Sequence, residues 1–405
     1  MKKMNIMNHI YRIIFILLFT FLYNGVFAHS DIDSTKYQQK DIVDLFHLQS
    51  KDSSTNNNSK NKGNGPFFSV MPAAGYTMLT GLAGLVVANS SFYTDSNRLK
   101  FSNILLNCAY SQYHQYWFTL NTNFFFNKHK LHFVSDTRYY KFPTQTYGLS
   151  IYSTFADELH IDYSYFRAHQ VLYREIISNL FVGLGYNLDH HWNINSSNTL
   201  GTTLTDFNAF NKHSHTTSSG ITCNLLFDNR NNAQSPQNGY YAFIQFRSNG
   251  KLLGSDNNWQ QMELDVRHYI RFPEKSRNVL CFWSYNKVTF GGTAPYLDLP
   301  SLGWDEYSNT GRGYVPGRFT ANNLVYLETE YRYVITHNGL LGGVIFGNAT
   351  SVFQYYKNEM HKFVPGGGVG LRIKMNKHSN TNLDIDYGFG IGGSRGFNFN
   401  LGEMF

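Results

Sequence analysis

From Pro66 onward the chain alternates apolar and polar positions with a period of two. The plainest stretch runs from Leu324 to Ile335. Val325, Leu327, Tyr331, Tyr333 and Ile335, with Thr329 among them, share one face, and Glu328, Glu330 and Arg332 share the other. Val369, Leu371, Ile373 and Met375 alternate in the same way with Gly370, Arg372 and Lys374. From Leu383 to Ile391 the apolar positions alternate with Asp384, Asp386, Gly388 and Gly390. Strict alternation marks a half-buried strand. In a membrane barrel the apolar face meets lipid and the polar face lines the lumen. The pattern predicts sixteen strands, with cores near 67–74, 78–91, 99–110, 113–126, 130–142, 160–174, 180–193, 215–228, 239–249, 257–271, 279–290, 322–335, 339–348, 366–375, 380–391 and 396–405. Every second connection is short, around Asp95, Lys128, Ser178, Ser235, Glu274, His337 and His378. The long connections, 143–159, 194–214, 291–321 and 349–365, all fall on the opposite side. An even strand count, short turns at one end and long loops at the other are the signature of a bacterial outer-membrane barrel. The expectation is therefore an all-β chain forming a 16-stranded antiparallel transmembrane β-barrel, with both termini in the periplasm.

The region before the strands reads differently. Lys2, Lys3 and Arg12 precede and begin a short apolar run, Ile13 to Leu22, and Val26 and Ala28 offer a cleavage site. That run is too short for a helix that spans a bilayer, which needs about 20 residues. Residues 1–28 are expected to be a secretory signal peptide. Residues 29–65, rich in Ser, Asn, Lys and Gly over their second half, are expected to be a disordered periplasmic tail with a short helical piece near Asp41 to His47. Residues 66–405 form the barrel.

Composition agrees. The chain is 17% aromatic and only 15% charged, with 34 Gly, 29 Tyr and 34 Phe. A soluble sandwich gives similar local signals but seldom carries so much aromatic surface. The formal charge of +7 includes three cations of the leader, leaving 31 basic against 27 acidic residues. Such a balance is no nucleic-acid signature. Cys108, Cys223 and Cys281 are far apart and odd in number, without metal-ligand spacing. By strand parity, Cys223 and Cys281 are expected on lipid-facing sides as free thiols. His190, His191, His213 and His215 lie in or near a predicted external loop, but no carboxylate or cysteine is spaced with them as a metal set. There is no nucleophile elbow. No catalytic residue, metal or cofactor is assigned.

The longest connection carries the candidate site. A loop of this length is usually functional or disordered, and this one is aromatic and Gly-rich, so it is expected to fold into the lumen. It contains Gly311, Arg312, Gly313 and Tyr314, followed by Val315-Pro316-Gly317-Arg318-Phe319. The wall strand that follows offers Glu328 and Glu330. Phe227-Asp228-Asn229-Arg230 with Pro236 and Gly239-Tyr240-Tyr241, then Val344-Ile345-Phe346-Gly347-Asn348, Pro365-Gly366-Gly367-Gly368-Val369-Gly370-Leu371-Arg372, Asp384-Ile385-Asp386-Tyr387 and the aromatic end at Phe405 follow in order. Together these motifs resemble the barrel of the BamA/TamA surface-antigen family, clearly from about Cys223 to Phe405 and faintly from Pro66 to Ser214.

The resemblance implies that Arg312 docks on the acidic inner wall, on Glu330 with Glu328. Asn348 stands where the family usually has Asp, so an acid restored there is expected to tighten the loop. It also implies that Phe405 is an exposed assembly label, and that the barrel inserts or moves polypeptides, or lipids, at the outer membrane. Pro72 in the first strand lacks a ladder N–H and belongs at an edge. The last strand begins after Gly392-Gly393-Ser394-Arg395-Gly396. Both features point to a weak seam that could template an incoming strand. The family's periplasmic POTRA domains do not fit in the tail, which implies that capture of client polypeptides comes from a separate periplasmic partner protein or is absent. Two rivals stand beside this reading: a closed structural or binding platform, and an outer-membrane hydrolase.

Overall fold

The computed structural model describes residues 40–42, 67–77, 80–93, 101–126, 130–196, 202–210, 214–306, 308–354, 362–377 and 380–405. Residues 1–28, nearly all of 29–65, Pro66, and the turn positions Asp95, Lys128 and His378 lie outside them.

Seventeen strands form one sheet. They are β1 (Phe67–Thr77), β2 (Gly81–Tyr93), β3 (Phe101–Ser111), β4 (Tyr116–Phe126), β5 (Leu131–Lys141), β6 (Thr144–Thr146), β7 (Leu159–Ile177), β8 (Leu180–Ser196) and β9 (His215–Asp228). Then follow β10 (Gly239–Asn249), β11 (Trp259–Arg271), β12 (Val279–Phe290), β13 (Asn323–Val334), β14 (Leu341–Phe353), β15 (Val364–Asn376), β16 (Thr381–Gly390) and β17 (Arg395–Leu401). Pairing is antiparallel throughout and follows chain order. The one detail is β6, which pairs with β7 beyond the end of β5 and continues that strand past Pro143. Proline has no N–H for the ladder, so the break falls where the chemistry requires it.

Side-chain parity sorts the wall into two faces. On β13, Tyr326, Glu328, Glu330 and Arg332 are buried while Leu327 is 44% exposed. Outward aromatic side chains gather at both ends of the strands. At the long-loop end, Phe118, Tyr139, Phe166 and His190 stand directly opposite one another across β4, β5, β7 and β8. At the other end Tyr240, His268 and Phe282 do the same on β10, β11 and β12. On β12 the two ends are marked by Phe282 and Phe290, about 26 Å of strand at the usual rise. Tilt shortens that to roughly 20 Å of height, near the apolar band of a barrel wall. The tight connections are built for reversal: in the turn between β7 and β8, Asn179 takes φ 66, a conformation Asn tolerates better than most residues.

Two expectations about side-chain placement change here. Cys281 is buried and faces inward, because β12 pairs it with Glu330, a lumen residue. Both faces of β12 are apolar, with Val279, Trp283 and Tyr285 also buried, so composition could not decide its parity. Cys223 is exposed. Second, β17 stops at Leu401, and Gly402 (φ 92) turns the last residues into the lumen. Phe405 is consequently 3% exposed and stacks on Trp283 at 5.0 Å between centroids, not on display at the strand end. His190 and His191 lie near the long-loop end of β8 and His215 opens β9; His213 lies outside the described residues. Strand β14 also runs to Phe353, which shortens the following loop.

Candidate functional site: the lumen loop and its two anchorages

Segment 291–321 folds back into the barrel. Ala294, Tyr296, Leu297, Leu299, Leu302, Tyr314, Phe319 and Ala321 are all buried. At the long-loop end it meets other loops. Thr146 and Tyr296 share a hydrogen bond of 2.6 Å, and Phe207 of helix α1 (Thr202–Phe210) packs edge-on against the Tyr296 ring. Leu149, Leu159, Ile161, Tyr163, Ile194 and Trp259 complete this apolar cluster.

Deeper in the lumen, Arg312 is 2% exposed. One Nη donates to Glu328 and, at 2.5 Å, to Glu330; the other donates to Asp386 at 2.6 Å. The guanidinium also lies 3.7 Å above the Phe346 ring. Burial opposes the charge, but the carboxylates of Glu328, Glu330 and Asp386 outweigh it and push the arginine above its ordinary value. A planar fork with several donors suits such a set of carboxylates. Asn348 faces the same residue differently: its Nδ2 donates to the Arg312 carbonyl at 3.0 Å. Asp386 is the wall acid that the parity reading placed inward without assigning it to Arg312.

The glycines beside Arg312 follow from space. At Gly313 (φ 98) a Cβ would meet the backbone of Phe389 at 2.8 Å, and at Gly311 (φ 82) it would meet Leu302 at 2.4 Å. Tyr314 fills the room left by Gly390 of β16, where a Cβ would strike its ring at 2.3 Å. The Tyr314 hydroxyl donates to the Pro365 carbonyl at 2.5 Å and accepts from the Ile391 N–H at 3.1 Å. Gly311-Arg312-Gly313-Tyr314 is thus seated on β13 to β16 by charge, backbone contact and shape together.

The ionic set continues to the end of the chain. Arg332 donates to Glu330 and lies 3.4 Å from Glu403. Arg372 reaches Glu403 at 2.9 Å and Asp386 at 2.5 Å. Arg332 also donates to the Phe405 oxygen at 2.8 Å, and Asn309 of the loop donates to the Met404 carbonyl at 2.5 Å. The tail and the loop therefore share a network.

The loop has a second anchorage, which the sequence reading missed. Ser218 of β9 donates to the Asp298 carboxylate at 2.5 Å, and His191 Nδ1 lies 4.0 Å from it. Burial, reinforced by the nearby Asp189 carboxylate, pushes Asp298 up to about 7. Behind it Arg247 binds Asp189 at 2.5 Å. A cavity of about 720 Å³ borders this anchorage, lined among others by Asp136, Arg167, Glu263, Lys287 and Glu306.

Pro72 lies in β1, opposite Val86 of β2. Strands β1 and β17 approach within 8 Å at Cα, yet among the described residues no backbone ladder joins them.

A one-sheet antiparallel wall with apolar outer belt, charged lumen and an inward-folded arginine loop defines a transmembrane β-barrel plugged by its own loop. A family model described as the Omp85 superfamily domain matches residues 88–405, and the chain belongs to that superfamily. The barrel is accordingly one of the outer membrane. Among solved structures it is similar to BamA from Haemophilus ducreyi lacking POTRA domains 1-3, at 16% identity and a TM-score of 0.57, over 83% of this chain and 70% of that one. It is also similar to CdiB from Acinetobacter baumannii, at 12% identity and a TM-score of 0.51, over 84% of this chain and 60% of that one. At such identities the likeness is one of fold. The chain matches none of the curated proteins compared with it.

Proposed function

We propose that this barrel assists the insertion or translocation of polypeptides at the outer membrane by opening between β1 and β17, with client capture supplied by a separate periplasmic protein. The observation that carries the reading is the seam: the two strands are neighbours without a ladder, so their backbone groups are available to an incoming strand. On this reading the short turns and both termini face the periplasm, and the long loops face outward. The loop seated through Arg312, Glu328, Glu330 and Asn348 holds the strands beside the seam in register while β1, with Pro72, can part from β17. No chemistry on the client is involved, so the barrel is not an enzyme.

The test is a reconstituted insertion assay with the purified barrel in vesicles and an unfolded barrel client. A disulfide placed between facing positions of β1 and β17 should stop insertion, and reductant should restore it. Insertion no faster than in empty vesicles would instead favour the closed platform. That second reading has one observation behind it, the apolar cluster that covers the long-loop mouth.

A further inference from the structure

Among the described residues, the connection between β10 and β11 does something the other long-loop connections do not. After Asn249 the chain leaves the sheet for one turn of 3-10 helix, Lys251–Leu253, and returns to pair with β9. Gly250 N–H donates to the Ser219 carbonyl at 3.1 Å, and Asp256 N–H donates to the Thr217 carbonyl at 2.9 Å. The 3-10 turn Lys251–Leu253 between them is extruded sideways, and parity gives the direction. Ser218 points inward to Asp298, so Ser219 points outward. There its hydroxyl donates to the Leu253 carbonyl at 2.6 Å and meets the hydroxyl of Tyr186, a residue 39% exposed on the outer wall. Thr217, also outward, donates its N–H to the Asp256 carboxylate at 2.7 Å, and Gly254 closes the turn at φ 89. The result is a braced knuckle on the outside of the barrel, with Leu252 99% and Leu253 42% exposed and Lys251 beside them.

Its place explains its composition. The outward aromatic row of Phe118, Tyr139, Phe166 and His190 ends at β9 on Thr217, next to Ser219. Aromatic side chains resume beyond it with Phe246 on β10 and Phe290 on β12, whose rings lie 6.2 Å apart. The knuckle lies over the hydroxyl-bearing gap between the two groups. We infer that Lys251-Leu252-Leu253 is a membrane-interface anchor: the two leucines enter the lipid at the long-loop rim and Lys251 meets the anionic headgroups, which completes the girdle where the strands leave it open. Continuity with the lipid-facing belt selects lipid as the occupant. Apolar tips with flanking cations belong at this depth. The inference requires only a barrel in a membrane and is independent of what the seam does.

The test uses the full chain in vesicles of phosphatidylethanolamine and phosphatidylglycerol. A fluorophore is attached at Leu252→Cys in a Cys108→Ser, Cys223→Ser background and compared with one at Tyr152→Cys, an exposed site on the 147–158 loop. A nitroxide carried on the lipid headgroup should quench the label at 252 several-fold more than the label at 152, and aqueous iodide should show the reverse order. Equal iodide quenching at both sites with no response to the lipid nitroxide would overturn the inference. So would efficient disulfide cross-linking of Leu252→Cys between copies in dilute vesicles, which would assign the knuckle to a second copy of the chain. Lys251→Cys gives the same comparison should the Leu252 variant fail to assemble.

Discussion

The two sides of the seam are built on different principles. Strands β1 to β4 contain not one Asp, Glu, Lys or Arg. Their inner face is uncharged, with Trp117 and Asn123 lining the lumen cavity and Asn107 donating to Thr119 at 2.9 Å. Strands β13, β15 and β16 carry Glu328, Glu330, Arg332, Arg372, Asp384 and Asp386, all buried and joined through Arg312 to the loop and through Glu403 to the tail. One side is held by its ladder and its lipid face. The other is held by those and by a buried ionic net besides. If the wall opens beside β1, the side that yields is the one without charges.

The largest test of this contrast removes the hub. Arg312→Ala leaves Glu328, Glu330 and Asp386 without their shared cation, and breaking a buried pair costs about 3–5 kcal/mol; water in the lumen lowers that. Segment 291–321 should become protease-sensitive in intact membranes while the barrel keeps its heat-modifiable mobility on gels. Unchanged proteolysis would mean that the ionic net does not hold the loop. Next, Phe405→Ala removes a ring packed on Trp283 and Tyr269. Core Phe→Ala changes cost roughly 3–5 kcal/mol, and a site at the chain's end relaxes more easily, so the lower figure is expected. The readout is a fall in thermal midpoint, together with a smaller assembled fraction. A third measurement sharpens the comparison without mutation. Amide exchange in β1 to β4 should exceed that in β13 to β16 by about tenfold or more, on the order of 1.4 kcal/mol in local stability. Equal protection on both sides would erase the distinction. The smallest effect is at Asn348. An Asp there cannot donate to the Arg312 carbonyl, and a lost hydrogen bond is worth about 1 kcal/mol. Asn348→Asp should therefore loosen the loop slightly, the reverse of what the family pattern alone suggests; slower proteolysis than in the parent would show that the added charge prevails over the lost donor.

Much of this was legible from residue order, but unevenly. Where one face carries charge, as in β13, β15 and β16, alternation announced both strand and orientation, and Glu328, Glu330 and Arg332 were placed inward from sequence. Where an aromatic loop packs against the wall, the lumen is as apolar as lipid. Cys281, Trp283 and Tyr285 then give no sign of which way they face, and the parity of β12 was misjudged. The inward turn of Gly402 to Phe405 was hidden for a related reason: Phe397, Phe399 and Leu401 set an alternation that the eye extends to the last residue, and only Gly402 marks the departure. The second anchorage had no legible signal at all. Asp298 is an ordinary loop acid until the fold brings Ser218 and His191 from strands some 80 and 107 residues away.

That second anchorage changes the mechanics of the barrel. A loop fixed at one foot is a plug that swings. A loop fixed at Asp298 to β9 and at Arg312 to β13 and β16 is a tie-rod across the bore, in compression or tension whenever the wall deforms. Both feet stand on strands other than β1 to β4. The braced arc can therefore keep its curvature while the unbraced arc flexes outward, as a door moves in a frame that has been stiffened by a diagonal. On the proposed opening, the bore need not be cleared before the wall parts, and the rod sets how far the frame can spread.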